Sequence, residues 1–261
     1  MINVEPTSYK DINQVITYLA EGISEILQEN LIGIYLFGSL TYGDFNNKRS
    51  DIDLTVILKN SATKPQLVKL EELHKEAENK YPKWKKRIEN SYTPQNMLSS
   101  LVPPGARPYY GEGVLYSESH YGNEWIINLY LLYNHGIAIL GPKCSELLQP
   151  IKIKDVQEAC IKDLFKEWEP KLREQEWLDN SHCQSYLVLN LCRILNTVIN
   201  ATVLSKKKSA TWVKEKYPHQ WKELIQTAED WHYGIEMKQK KEALEFLQFV
   251  IGKVSTLQKR S

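Results

Sequence analysis

Residues 35–58 read YLFGSLTYGDFNNKRSDIDLTVIL. Two apolar runs flank a polar connection, and the second run opens on two acids, Asp51 and Asp53. On a strand, side chains two apart share a face, so these carboxylates point one way while Ile52 and Leu54 point the other. Isolated charge is expensive to bury unless it is paired or holds a metal. Adjacent carboxylates repel, and a hard divalent cation with oxygen ligands relieves that repulsion. Gly38 and Ser39 follow the first strand directly, where N–H groups and a hydroxyl can meet a phosphate at a helix N-terminus. Gly43 adds a second point at which backbone can approach a ligand closely. Phosphate donors beside metal carboxylates are the equipment of nucleotidyl transfer: cations neutralise the phosphates while a further carboxylate activates the attacking hydroxyl.

Outward from this stretch, Ile12, Val15, Ile16, Leu19, Ile23, Ile26 and Leu27 recur at helical spacing and predict an amphipathic helix over 9–29. Residues 31–37 and 52–58 read as strands, 64–80 as a helix stopped by Pro82, and 84–93 as a third strand. The segment 101–113, LVPPGARPYYGEG, is turn-rich and reads as a loop. Residues 121–135 read as a helix ended by Gly136, before the short apolar run IAIL. From about residue 154 the pattern is helical throughout, with turns expected at 178–181, 205–208, Pro218 and Gly234. The expected organisation is an α/β domain over 1–152 followed by an all-helical domain over 153–261.

Lys+Arg 33 against Asp+Glu 32 leaves a net charge of +1, which lacks the clustered positive footprint of a nucleic-acid binder. The N-terminal residues show neither a basic nor an apolar targeting region. Apolar segments are interrupted well before membrane-spanning length. Cys144, Cys160, Cys183 and Cys192 form no C-x-x-C pair or zinc spacing and read as reduced thiols. The six histidines form no H-E-x-x-H pattern. The expectation is a cytoplasmic monomer without nucleic-acid or membrane partners.

The pattern L-F-G-S-x-x-x-G followed by S-D-I-D-L resembles the signature of the nucleotidyltransferase superfamily with the DNA-polymerase-β-like core. Gly38, Ser39, Asp51 and Asp53 match it position by position. That superfamily uses a third carboxylate on a neighbouring strand; Glu89 is the candidate by position, with Asp44 and Glu112 as rivals. AILGP at 138–142 and YLVLNLCRILNTVINATVLSKKKSATWVKEKYP at 186–218 narrow the likeness. They resemble the aminoglycoside 3″(9)-adenylyltransferases through Leu189, Leu191, Arg193, Ile194, Lys206, Ala210, Trp212 and Pro218.

The resemblance implies an α/β (α+β) nucleotidyltransferase domain with a mixed sheet and an all-helical bundle domain. It implies Mg²⁺-dependent transfer of AMP from ATP to a hydroxyl of streptomycin or spectinomycin, releasing pyrophosphate and conferring resistance. Gly38, Ser39, Ser50, Asp51 and Asp53 fall on the ATP–magnesium positions, and Glu89 on the catalytic base and third metal carboxylate. Glu124 falls on an acidic residue facing the nucleotide, and Lys206 on a lysine that reaches the phosphates from a loop. One of Trp231, His232 or Tyr233 is expected to stack on adenine. Trp168 matches the streptomycin-binding tryptophan within one residue. Asp179 is the nearest acidic drug contact, with Glu174 and Glu176 as alternatives. The connection there is longer than the family's, and His182 and Cys183 stand where another aspartate would fall. The same chemistry on a protein or other small-molecule hydroxyl, or a silent nucleotide sensor, is the alternative.

Overall fold

The periodic apolar positions near the N-terminus form helix α1 (Lys10–Leu27), with Ile12, Val15, Ile16, Leu19, Ile23 and Leu27 buried on one face. Each such side chain contributes roughly 1.5–3 kcal/mol when withdrawn from water. The computed structural model describes residues 5–102 and 105–259. Strands β1 (Leu31–Phe37) and β2 (Ile52–Leu58) follow, then α2 (Lys64–Lys80). Thr63 and Gln66 cap α2 reciprocally, each side chain bonding the other's backbone N–H. Strand β3 (Ile88–Pro94) is shorter than the expected 84–93, because Trp84 closes a single 3₁₀ turn, Pro82–Trp84.

Beyond β3 the structure corrects the sequence reading. Within the expected loop lies strand β4 (Ala106–Gly111), paired antiparallel with β5 (Val114–His120). The turn between them is only Glu112 and Gly113, at φ 54° and 84°. Two consecutive left-handed residues are what a tight two-residue hairpin demands. Positions 103 and 104 of that segment lie outside the described residues. Helix α3 (Glu124–His135) begins later than expected, and β6 (Ile137–Leu140) and the short α4 (Cys144–Leu147) complete this region.

The strands form one mixed sheet in the order β5-β4-β3-β2-β1-β6. Among the described residues only β2 and β3 run parallel, joined through α2, as a parallel crossover requires. One sheet face packs Ile52, Leu54, Val56, Ile88, Tyr92 and Tyr110 into a common core with α1 and α2.

A titratable group is sealed in that core. His74 of α2 is fully buried, accepts or donates at 2.7 Å to the Tyr92 hydroxyl, and stacks on Tyr110 at 4.1 Å. Burial lowers its pKa from 6.5 to about 3. Between those values the unfolded chain binds the proton and the folded chain does not, so stability is lost as pH falls below about 6.5. His74→Gln is expected to remove about 2 kcal/mol of the stability difference between pH 6.5 and pH 5. Chemical denaturation at the two pH values measures it. Equal acid sensitivity in wild type and variant would show that His74 does not titrate on unfolding.

Two compact units divide the chain: Met1–Phe45 with Ser50–Pro150, and Asn46–Arg49 with Ile151–Ser261. The second is helical, built from α5 (Ile153–Asp163), α6 (Ser181–Asn200), α7 (Lys206–Lys216), α8 (Lys222–Asp230) and α9 (Lys240–Gln258). A turn of π-helix, Leu164–Trp168, continues α5. The turn expected at 205–208 is instead a helix start: Ser205 caps α7 by accepting from the Lys208 N–H at 3.2 Å. The short strap 46–49 belongs to this unit, where the Arg49 guanidinium donates to the carbonyls of Ala228 (3.0 Å) and Glu229 (2.8 Å). The four cysteines are free thiols, three of them buried. Among the described residues, no helix is long and apolar enough to cross a membrane.

Candidate active site

The sheet face away from α1 and α2 carries the candidate carboxylates Asp53 and Glu89. Strands β2 and β3 are in register, so Asp53 lies directly across from Glu89, while Phe37 of β1 flanks Asp53 on its other side. Same-face positions Asp53 and Thr55, Glu89, Ser91 and Thr93, and Arg107 and Tyr109 line one cavity of about 220 Å³. Glu124, Trp125, Asn128 and Leu132 of α3 complete its wall.

Gly38 and Ser39 do not open an α-helix, contrary to the expectation. They form a single 3₁₀ turn, Gly38–Leu40, and the Ser39 carbonyl accepts the Asp44 N–H at 3.2 Å, returning the chain to the polar connection. Gly38 sits at φ +70°, and a Cβ there would come within 2.0 Å of the Asp53 Oδ2. A side chain at 38 would therefore be strained in its backbone and would displace the carboxylate. The glycine makes room for Asp53.

Arg87 holds the turn that presents the aspartates. Its guanidinium donates to the Ser50 carbonyl, lies 3.8 Å from Asp51 Oδ1 and packs 4.8 Å above the Trp84 ring. Its own carbonyl accepts the Ile52 N–H at 2.9 Å. Glu124 turns back onto its own helix start, accepting the Gly122 N–H at 2.9 Å.

Three further residues of this face were missed in the sequence. Arg107 is nearly buried, donating to Ser91 Oγ (3.0 Å), the Ser119 carbonyl (2.7 Å) and hydroxyl (2.9 Å), and the His120 carbonyl (3.2 Å). Its guanidinium lies 3.8 Å over the Tyr121 ring and 5.1 Å over that of Tyr109. The Tyr121 hydroxyl bonds Ser91 and Thr93 at 3.0 and 2.6 Å. Burial first, and then the charges of Glu89 and Asp53, push the Tyr109 pKa far up, so the phenol keeps its proton. Reading a hairpin over 106–120 would have placed Arg107 and Tyr109 on one face.

In the helical unit, Lys206 is the first residue of α7, not a loop residue, and its ammonium lies 4.4 Å over the Tyr186 ring. Trp168 packs against that same ring at 5.8 Å and against Trp177 at 5.7 Å, and its indole N–H donates to Asp163 at 2.7 Å. The His182 ring joins the group, 5.4 Å from Trp231 and 5.7 Å from Tyr233. Asp179 is paired with Lys240 at 2.7 Å, its side chain 68% exposed.

Among the described residues, no three His, Cys, Asp or Glu side chains are gathered into a metal cage. The donor set still suits Mg²⁺, which takes one or two carboxylates and draws its other ligands from water and substrate phosphates. Asp51 and Asp53 offer hard oxygens, and the missing side chain at Gly38 leaves room for the Asp53 carboxylate.

Known proteins resemble both halves. The family described as Polymerase beta, Nucleotidyltransferase matches residues 21–90, and the Aminoglycoside adenylyltransferase, C-terminal domain matches residues 146–255. A spectinomycin 9-adenylyltransferase of Campylobacter jejuni is 26% identical over 236 residues, covering 86% of this chain and 85% of that protein. An aminoglycoside (3'')(9) adenylyltransferase of Shigella flexneri is 24% identical over 260 residues, covering 94% and 96%. The crystal structure of the spectinomycin adenyltransferase AAD(9) from Enterococcus faecialis with ATP and spectinomycin superposes with a TM-score of 0.73. That match, at 22% identity, spans 93% of this chain and 98% of the other and shows the same fold. The chain thus joins a segment like the polymerase-β nucleotidyltransferases at 21–90 to one like the aminoglycoside adenylyltransferase C-terminal domain at 146–255.

Proposed function

We propose that the protein transfers AMP from ATP to a hydroxyl of spectinomycin or streptomycin in the cytoplasm, with Mg²⁺ as cofactor and pyrophosphate as the other product. The observation that carries this reading is the in-register pairing of Asp53 with Glu89 on an open face of the sheet. In it, Asp51 and Asp53 hold Mg²⁺, which supplies charge neutralisation to the triphosphate when bound. Glu89, the third carboxylate beside that ion, accepts the proton of the attacking hydroxyl. Gly38, Ser39, Ser50 and Glu124 face the nucleotide, and Lys206 offers the phosphates a point charge reinforced by the N-terminus of α7.

Trp168 and Asp179 serve the drug. Streptomycin carries guanidinium groups, which favour an aromatic face and a carboxylate. The Lys240–Asp179 pair is exposed, and such pairs are worth little, so a ligand cation can replace the lysine.

The test is incubation of the purified protein with ATP, Mg²⁺ and streptomycin, spectinomycin or kanamycin, followed by mass spectrometry of the drug. One added AMP on streptomycin or spectinomycin supports the reading; an unmodified panel sinks the acceptor assignment. Trp168→Ala and Asp179→Ala are expected to cut streptomycin turnover, about tenfold or more in kcat/KM for loss of 1.4 kcal/mol, and spectinomycin turnover much less. Equal losses on both drugs would remove the selective role of these residues.

A further inference from the structure

Asp53 is set in register between Phe37 and Glu89, whereas Asp51 stands one residue before β2, outside that register. Arg87 reaches all three residues of this strand entry. Its guanidinium donates to the Ser50 carbonyl and lies 3.8 Å from Asp51 Oδ1, and its own carbonyl accepts the Ile52 N–H at 2.9 Å. Behind it the Trp84 ring, 1% exposed, backs the guanidinium at 4.8 Å, and Phe45 packs on that ring at 6.1 Å. The turn that delivers Arg87 is strained: Lys86 stands at φ 61°, where a residue with a side chain is uncommon. Glu78, only 4% exposed, accepts the Lys86 N–H at 3.0 Å, and the Trp84 carbonyl accepts the Arg87 N–H at 3.0 Å. Such strain persists only where the surrounding structure enforces it, and it gathers at working sites.

We infer that Arg87 is the positioning residue for the metal carboxylate Asp51. It holds the backbone on either side through Ser50 and Ile52 and the carboxylate through its guanidinium, so that Asp51 meets Mg²⁺ in one orientation. The inference rests on Asp51 and Asp53 being the metal ligands. A carboxylate's last torsion is broad, and the groups that orient metal ligands from behind account for about ten- to a hundredfold in metal affinity. The guanidinium is also a cation beside the place of a cation, so its bare charge opposes Mg²⁺. Position and charge act in opposite directions, and the sign of the effect tells them apart.

Calorimetric titration of ATP with and without Mg²⁺, in wild type, Arg87→Lys and Arg87→Met, reads the ratio of the two affinities. Both variants are expected to lose about ten- to a hundredfold of that ratio. Lysine should not rescue it, because it keeps the charge but offers a point in place of a planar fork. A ratio kept by lysine and raised by methionine would make Arg87 a counter-charge and overturn the inference. An unchanged ratio, with ATP weakened equally in both conditions, would leave Arg87 a support of the turn alone and overturn it too. A wild type indifferent to Mg²⁺ would overturn the metal reading and this inference together. Loss of the Mg²⁺ response in Asp53→Asn, beside Arg87 variants that keep the wild-type ratio, would overturn the inference alone.

A second arm needs neither metal nor nucleotide. In protein labelled with 5-fluorotryptophan, the ¹⁹F resonance lost in Trp84→Phe reports the ring that backs Arg87. It is expected to shift in Asp51→Asn, where the guanidinium loses its carboxylate, and in Arg87→Lys. A resonance that answers to Arg87 but is indifferent to Asp51 would overturn the inference whatever the ligand.

Discussion

Glu89→Gln is expected to lower kcat by about two to four orders of magnitude while ATP binding stays near that of the wild type. The amide has the shape of the carboxylate and keeps the place opposite Asp53, so β3 and the cavity wall are undisturbed. What it lacks is a lone pair basic enough to take a proton. Single-turnover rates with saturating ATP and drug, beside calorimetric titration of ATP, measure the two effects separately. Collapse of ATP affinity with surviving chemistry would make Glu89 a ligand and not the base.

Asp53→Asn is expected to go further, abolishing turnover together with the Mg²⁺-dependent part of ATP binding. A neutral amide is a poor ligand for a small hard cation. The substitution is nearly isosteric, and so fits the space that the missing side chain at 38 leaves. Titrating ATP with and without Mg²⁺ isolates the metal's share of the binding energy. In the wild type the two isotherms should differ, and in the variant they should coincide. Ordinary activity in Asp53→Asn would defeat the metal assignment outright.

The parts of this protein that could be read from sequence are those whose periodicity is strong and whose ends are punctuated. Helix α1 follows its apolar stripe, β1 and β2 keep the bounds their apolar runs set, and α2 begins at a capping box and stops at Tyr81, before Pro82. The hairpin was hidden because Gly105, Gly111 and Gly113 punctuate a six-residue strand as if it were a loop. Its partner β5 lies at the sheet edge and is mostly exposed, so it has no buried alternation to betray it. Arg107 and Tyr109 were lost with that hairpin. Asp51 lies one residue before β2 and not on it, and the partnership of Asp53 with Glu89 depends on a crossover and a register that no local pattern encodes. Lys206 was misplaced by one structural step, since a run of three lysines looks like solvated turn until Ser205 is recognised as a cap.

The strap at 46–49 makes the two halves interleaved in the chain. The four residues precede Ser50 and Asp51, yet Arg49 serves the carbonyls that end α8, nearly 180 positions later. A chimera that grafts a relative's helical half at residue 150 would leave this strap behind, with its arginine facing a foreign helix end. Exchange of helical halves, by recombination or by design, therefore calls for three crossovers: one near 150 and one on each side of the strap. Single-crossover hybrids would carry intact carboxylates and an intact helical bundle, and still set this strap against helix-end carbonyls it did not come with.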